Sequence, residues 1–166
     1  MVKRTIKFYF VAIVMTAIFS MFIAVTVNAA EGQITVPEDV RKISEELGQT
    51  YNICPELIQA ICWRESRFQS DAENDGCVGI MQVAPKWHKE RMNRLGVTDL
   101  TDPRQNMTVA VDYLSDLVKD EEDMEEVLMR YHGESWINER LEAGEMSAYV
   151  EGILALSAEL ERQNGK

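Results

Sequence analysis

The chain has 166 residues and carries 28 Asp and Glu against 17 Lys and Arg, a net charge of −11. That acidity argues against nucleic acid as a partner and against simple electrostatic adhesion to anionic surfaces. Any attraction to an anionic polymer must come from a shaped groove rather than from net charge.

The first thirty residues read as a targeting segment. Lys3, Arg4 and Lys7 precede an uncharged run from Phe8 to Val27, and Val27-Asn28-Ala29 followed by Ala30-Glu31 offers small residues for cleavage. The run is about twenty residues, enough to span a bilayer, so a retained N-terminal anchor is the rival reading. Both place residues 31–166 outside the cytoplasm, secreted or held at the outer face of the membrane, because the positive charges stay inside. Membrane contact is expected only through that segment if it is retained. Without residues 1–30 the charge becomes −14 over 136 residues, a length that suits one domain with a real core. Three cysteines leave at least one without an intrachain partner. Cys54 and Cys62, about 12 Å apart along one helix, cannot bridge each other.

Pro37 to Leu47 has a helical stripe, Val40, Ile43 and Leu47, with Gly48 as its stop. A second helix is predicted from Pro55 to Phe68, where Ile58, Ile61, Cys62, Glu65 and Phe68 share one face. Glu65 is the only acid on that stripe. Burial disfavours the charged form, so Glu65 is a candidate proton donor near neutral pH; the competing reading is an edge residue whose head reaches water. A polar turn, Ser70 to Gly76, leads into Cys77-Val78-Gly79-Ile80-Met81-Gln82-Val83.

Pro85 to Leu95 forms the next predicted helix, ended by Gly96, and its Trp87-His88 pair suggests a groove wall. A solvated surface residue is the simpler reading of His88, and no second His at ligand spacing supports a metal site. Asp102-Pro103 opens a helix that runs to Val118. Asn106 falls on its apolar side, where an unpaired amide is costly. The charge run Lys119 to Glu126 reads as a solvated turn and helix start, followed by the stripe Met124, Val127, Leu128 and Tyr131. Ser135 to Leu141 is a short amphipathic piece, and a closing helix begins near Ser147 with Tyr149, Val150, Ile153, Leu154 and Ala158 on its packed side.

Glu65-Ser66 at a helix end, a polar loop, and Gly79-Ile80-Met81-Gln82 about a dozen residues on resemble the soluble-type (SLT) lytic transglycosylases. The likeness extends through Asp102-Pro103-Arg104-Gln105-Asn106-Met107 with Tyr113-Leu114, then Leu128 to Gly133, then Tyr149-Val150, and covers about Val36 to Leu160. Arg130 and His132 depart from the family's Ala-Tyr-Asn-x-Gly pattern, which Tyr131 and Gly133 keep.

The resemblance implies a mainly α, lysozyme-like domain with little or no β-structure, and glycan strands of peptidoglycan as partner. It implies non-hydrolytic cleavage of the MurNAc-β-1,4-GlcNAc bond by a single carboxylic acid, Glu65, with no cofactor or metal. Ser66, Gly79, Ile80, Met81, Gln82, Asn106, Tyr131 and His132 would surround the substrate, with backbone amides of 79–81 on the floor. For Asn106, satisfying neighbouring backbone groups is the simpler role. A monomer is expected. If Gln82 lies beside Glu65 as in that family, an extended Cys77–Gln82 segment would bring Cys77 to Cys54, giving a Cys54–Cys77 disulfide with Cys62 buried as a small hydrophobe; three reduced cysteines are the alternative. Two other functions stay open. One is a lysozyme-type hydrolase whose second carboxylate is a loop acid, Asp71, Glu73 or Asp75. The other is a non-catalytic wall-binding protein.

Overall fold

The computed structural model describes residues 34–121 and 123–166, and Val36–Lys166 forms one compact unit. The targeting segment expected over residues 1–30 lies outside the described residues. Among those described, no helix is long and apolar enough to cross a membrane.

Among the described residues, seven helices and one small hairpin follow in order: α1 (Glu38–Tyr51), α2 (Pro55–Ser66), β1 (Glu73–Asn74), β2 (Cys77–Val78), α3 (Pro85–Leu95), α4 (Pro103–Asp120), α5 (Met124–His132), α6 (Ile137–Ala143) and α7 (Ala148–Gln163). Helix α2 is the centre. It packs against α1 and α7, while α4 packs against α1, α3 and α5. Ile58, Ile61 and Cys62 of α2 are fully buried with Met107, Val109, Val111 and Leu114 of α4, Leu128 and Met129 of α5, and Val150 and Ile153 of α7. Removing one such side chain costs about 2–5 kcal/mol, so this apolar contact is the main reason short helices with modest propensity hold together.

Helix ends follow their local chemistry. Pro55, Pro85 and Pro103 occupy first turns, where a missing N–H costs nothing. Asp102 accepts from the Gln105 N–H (2.8 Å), Ser147 from Val150 (3.2 Å) and Asp123 from Glu125 (2.9 Å). Gly48 does not stop α1. It lies inside the helix, where a Cβ would come within 2.6 Å of the Ile53 carbonyl and 2.9 Å of Pro55, so it lets the α1–α2 connection turn tightly back. Asn52, left-handed at φ 56°, ends α1 instead. Helix α2 stops two residues earlier than its apolar spacing suggests. Arg67 and Phe68 are both left-handed, and Phe68 leaves the helix to pack on Trp63 at a centroid distance of 5.4 Å.

The polar turn is ordered. Glu73 pairs with Val78 and Asn74 with Cys77 across Asp75-Gly76, whose φ values of 48° and 81° suit the primed turns that match hairpin twist. The chain then doubles back at once, with reciprocal bonds between Val78 and Val83 (2.9 and 3.0 Å). Residues 77–82 are therefore coiled rather than extended.

That coil corrects the expected Cys54–Cys77 disulfide. All three cysteines are free. Cys54 caps the N-terminus of α2, about 16 Å along the axis from Glu65. The Cys77 thiol stays at the other end of the helix and lines the same groove as Glu65, whose charge helps to raise it after burial.

Candidate functional site

Helix α2 carries Glu65 in its last turn, just before the left-handed break at Arg67. The side chain is half-buried at the head of an open groove of about 920 Å³. Burial pushes its carboxyl above the ordinary carboxylate range, and three groups pull the other way: a hydrogen bond from Tyr149 and the nearby charges of His132 and Arg64. The Tyr149 hydroxyl donates to Glu65 Oε1 at 2.5 Å. Burial and the Glu65 charge push that phenol far above its usual range, so Tyr149 stays a donor at any physiological pH.

The remaining faces of Tyr149 are also held. The His132 imidazole stacks on its ring at 3.8 Å with an interplanar angle of 8°, and the Arg64 guanidinium lies 5.6 Å from the ring centroid. His132 in turn faces Glu134 (Nδ1 to Oε1, 3.4 Å), a carboxylate that also accepts from Ser147 (2.6 Å) and Arg140 (2.9 Å).

The loop after β2 is fastened from beneath. The Ser66 hydroxyl donates to the Ile80 carbonyl at 2.8 Å. Asn106 uses its whole amide: Nδ2 donates to Val78 and Leu100 carbonyls (2.7 and 2.9 Å), and Oδ1 accepts from the Met81 N–H (3.0 Å). Tyr131 donates to the Met81 carbonyl at 2.9 Å. Gly79 is obligatory here. Its φ is 81°, and a Cβ would sit 2.2 Å from both Asn106 Nδ2 and the Leu100 carbonyl.

Several expectations change accordingly. Ser66, Gly79, Ile80, Met81 and Asn106 come together near Glu65, but all five are buried and none lines the groove. Their polar groups are spent on one another because a buried turn must satisfy its own backbone. The expected amide floor is absent for the same reason, since Gly79 N–H donates to Ala72 (2.8 Å) and Met81 N–H to Asn106. Gln82, Tyr131 and His132 do line the groove. Gln82, left-handed at φ 49°, ties its amide to Gly79 and Ala72 carbonyls (2.9 and 3.1 Å). His88 is no free surface residue: its ring lies tilted against Tyr113 at 4.7 Å, and burial lowers its imidazole below the usual value. Of Asp71, Glu73 and Asp75, only Asp75 lines the groove.

Tyr149 is the residue that sequence reasoning passed over as packing. A signal was present: a tyrosine on a buried stripe must place its hydroxyl on an acceptor, and the one acid on a facing apolar stripe was Glu65.

A mainly helical unit with one short hairpin and a half-buried acid at the head of a groove is a lysozyme-like domain. Residues 42–147, more than half of the chain, match the family model described as Transglycosylase SLT domain, and the chain belongs to that family. Membership carries a transglycosylase-like function directed at peptidoglycan. None of the curated proteins compared with the chain matches it.

Proposed function

We propose that this protein is a lytic transglycosylase in which Glu65 serves first as acid and then as base. The observation that carries this reading is Glu65 itself: a carboxyl raised by burial, aimed by one phenol, and open to a groove of about 920 Å³. A raised carboxyl holds its proton closer to neutral pH and can give it to a glycosidic oxygen.

The reaction balances without water. Glu65 protonates the bridging oxygen as the bond from that oxygen to the anomeric carbon of N-acetylmuramic acid breaks. The ionised Glu65 then removes the proton from the C6 hydroxyl of the same sugar, whose oxygen closes onto the anomeric carbon. The products are a 1,6-anhydro end and a free 4-hydroxyl, and Glu65 has its proton back. Tyr149 supports both halves, since its hydrogen bond stabilises the carboxylate after the first transfer and holds the same oxygen in place for the second. Gln82 and Tyr131 line the path of the strand beside it.

A hydrolase is the competing reading, and the place of Asp75 on the groove wall favours it over one using Asp71 or Glu73. Mass spectrometry of soluble products from purified peptidoglycan separates the two. Muropeptides one water lighter than the reducing forms, absent with Glu65→Gln, are the expected result. Reducing ends would replace this mechanism with hydrolysis and make Asp75 the base to test.

A further inference from the structure

One carboxylate joins the end of α5 to the starts of α6 and α7. Gly133, left-handed at φ 73°, ends α5, and the Glu134 N–H then donates back to the Met129 carbonyl at 3.0 Å. That closure fixes the backbone from which the Glu134 side chain springs. Its carboxylate is only 9% exposed, and three groups converge on it. Arg140 of α6 donates to Oε2 (2.9 Å), Ser147 before α7 donates to Oε1 (2.6 Å), and His132 Nδ1 lies 3.4 Å from Oε1. Glu134 does not line the groove, so it is not placed to touch a glycan strand.

A buried carboxylate needs donors, and Arg140 with Ser147 already supplies them. The notable feature is where two of its partners lead. Ser147 donates to Glu134 while accepting from the Val150 N–H (3.2 Å), so the carboxylate fixes the first turn of α7, which carries Tyr149. His132, held at Nδ1, lays its ring parallel to that of Tyr149, at 3.8 Å and 8°. One route sets the backbone under the phenol, and the other sets the plane of its ring. With both held, the hydroxyl meets Glu65 Oε1. Hydrogen bonds weaken steeply with angle, so a modest turn of the ring is enough to lose that contact.

We infer that Glu134 is a positioning residue for the acid–base step, acting on Glu65 through Tyr149 by way of His132 and Ser147. This rests on the reading of Glu65 as acid and base. The charges that act on Glu65 are those of His132 and Arg64, and Glu134 is not among them. Arg64 also lies 5.6 Å from the Tyr149 ring centroid, while Arg140 is tied to Glu134. A displaced positioning group far from the chemistry can cost about 10²-fold, and here the loss of the phenol contact sets the ceiling.

The test uses the full chain and reads two quantities: fragment release across pH, and the carboxyl-carbon NMR titration of Glu65. Glu134→Ala is expected to lower kcat about tenfold with KM kept, matching Tyr149→Phe without exceeding it, and to move the Glu65 titration to higher pH. Glu134→Gln keeps an acceptor for Ser147 or Arg140, which protects the fold, and should move both quantities the same way by less. His132→Ala should repeat the effect, and His132→Phe, which restores a flat ring against Tyr149, should recover part of it. The deciding comparison is a double variant. Added to Tyr149→Phe, Glu134→Ala should change neither quantity further. Losses that multiply would overturn the inference, because Glu134 would then act through general stability or through the charge of His132. A Glu65 titration unmoved by both Glu134 variants would overturn it as well. A wild type that releases no fragments would overturn the acid–base reading instead, and the Glu65 titrations of the single and double variants would still decide whether Glu134 works through Tyr149.

Discussion

The two ends of helix α2 each carry a glutamate, and the structure sends them in opposite directions. Glu56, in the first turn, is almost wholly buried, yet its carboxyl is lowered to about 2. Burial pushes it up, but Lys166 (2.8 and 3.0 Å), Asn164 (2.8 Å) and the Cys54 thiol (3.2 Å) donate to it and win. Glu65, in the last turn, is less buried and is raised. It has one strong donor, and that donor is a neutral phenol. The helix dipole adds to the contrast, since a carboxylate is favoured at an N-terminus and disfavoured at a C-terminus. Burial alone therefore does not make an acid reactive; burial without a bonded cation does.

This contrast can be broken or sharpened by substitution. Glu65→Gln should lower cleavage by about 10²–10⁴-fold, measured as fragment release, because the proposed reaction passes its proton through Glu65 in both steps. The same change should leave the fold intact and make the variant gain stability relative to wild type as pH rises from 4.5 through the raised value of Glu65, since a raised carboxyl costs stability once pH forces it to ionise.

Glu56→Gln should do the reverse, destabilising by about 1–3 kcal/mol at pH 7 in denaturant titration while cleavage by the folded fraction is kept. Its sign in pH follows from the lowered carboxyl. The stabilisation from ionised Glu56 is complete above the ordinary value of 4.5 and is lost as pH falls toward 2, so wild type and variant should converge across that window.

Tyr149→Phe should lower kcat about tenfold and shift the pH profile. The phenol favours ionised Glu65, so removing it raises the Glu65 carboxyl further, and the basic limb should move to higher pH. An unmoved limb would assign Tyr149 to packing. The smallest effect belongs to the cysteines: Cys54→Ser with Cys77→Ser should change stability by no more than about 0.5 kcal/mol, and the unfolded wild type should titrate three thiols.

Much of the helical frame was legible because its ends are written in proline, glycine and capping acids. Helix α3 runs from Pro85 to Leu95 before Gly96, as the sequence predicts, and Asp102-Pro103 opens α4. The Glu65 stripe and the groove wall at Trp87-His88 were readable from spacing and composition. What failed was geometry over 77–82, where Asp75-Gly76 was a hairpin signal left unused and the bridge from Val78 to Val83 folded the segment short. That single error moved Cys77 to the wrong end of α2. The roles around Glu65 were partly exchanged for a second reason. Sequence identifies polar residues near an acid, but only packing decides whether each faces the groove, as Gln82 does, or the backbone beneath, as Ser66 and Asn106 do. Tyr149, eighty-four residues from Glu65, needed the α2–α7 contact.

The most direct measurement is a carboxyl-carbon NMR titration of the folded protein, with Glu65→Gln and Glu56→Gln used to assign the two signals. Glu65 should titrate above the ordinary glutamate value and Glu56 below it, near 2. A Glu65 that titrates at or below the ordinary value would contradict the single-acid mechanism, because its proton would already be lost to solvent at the pH where the wall must be cut.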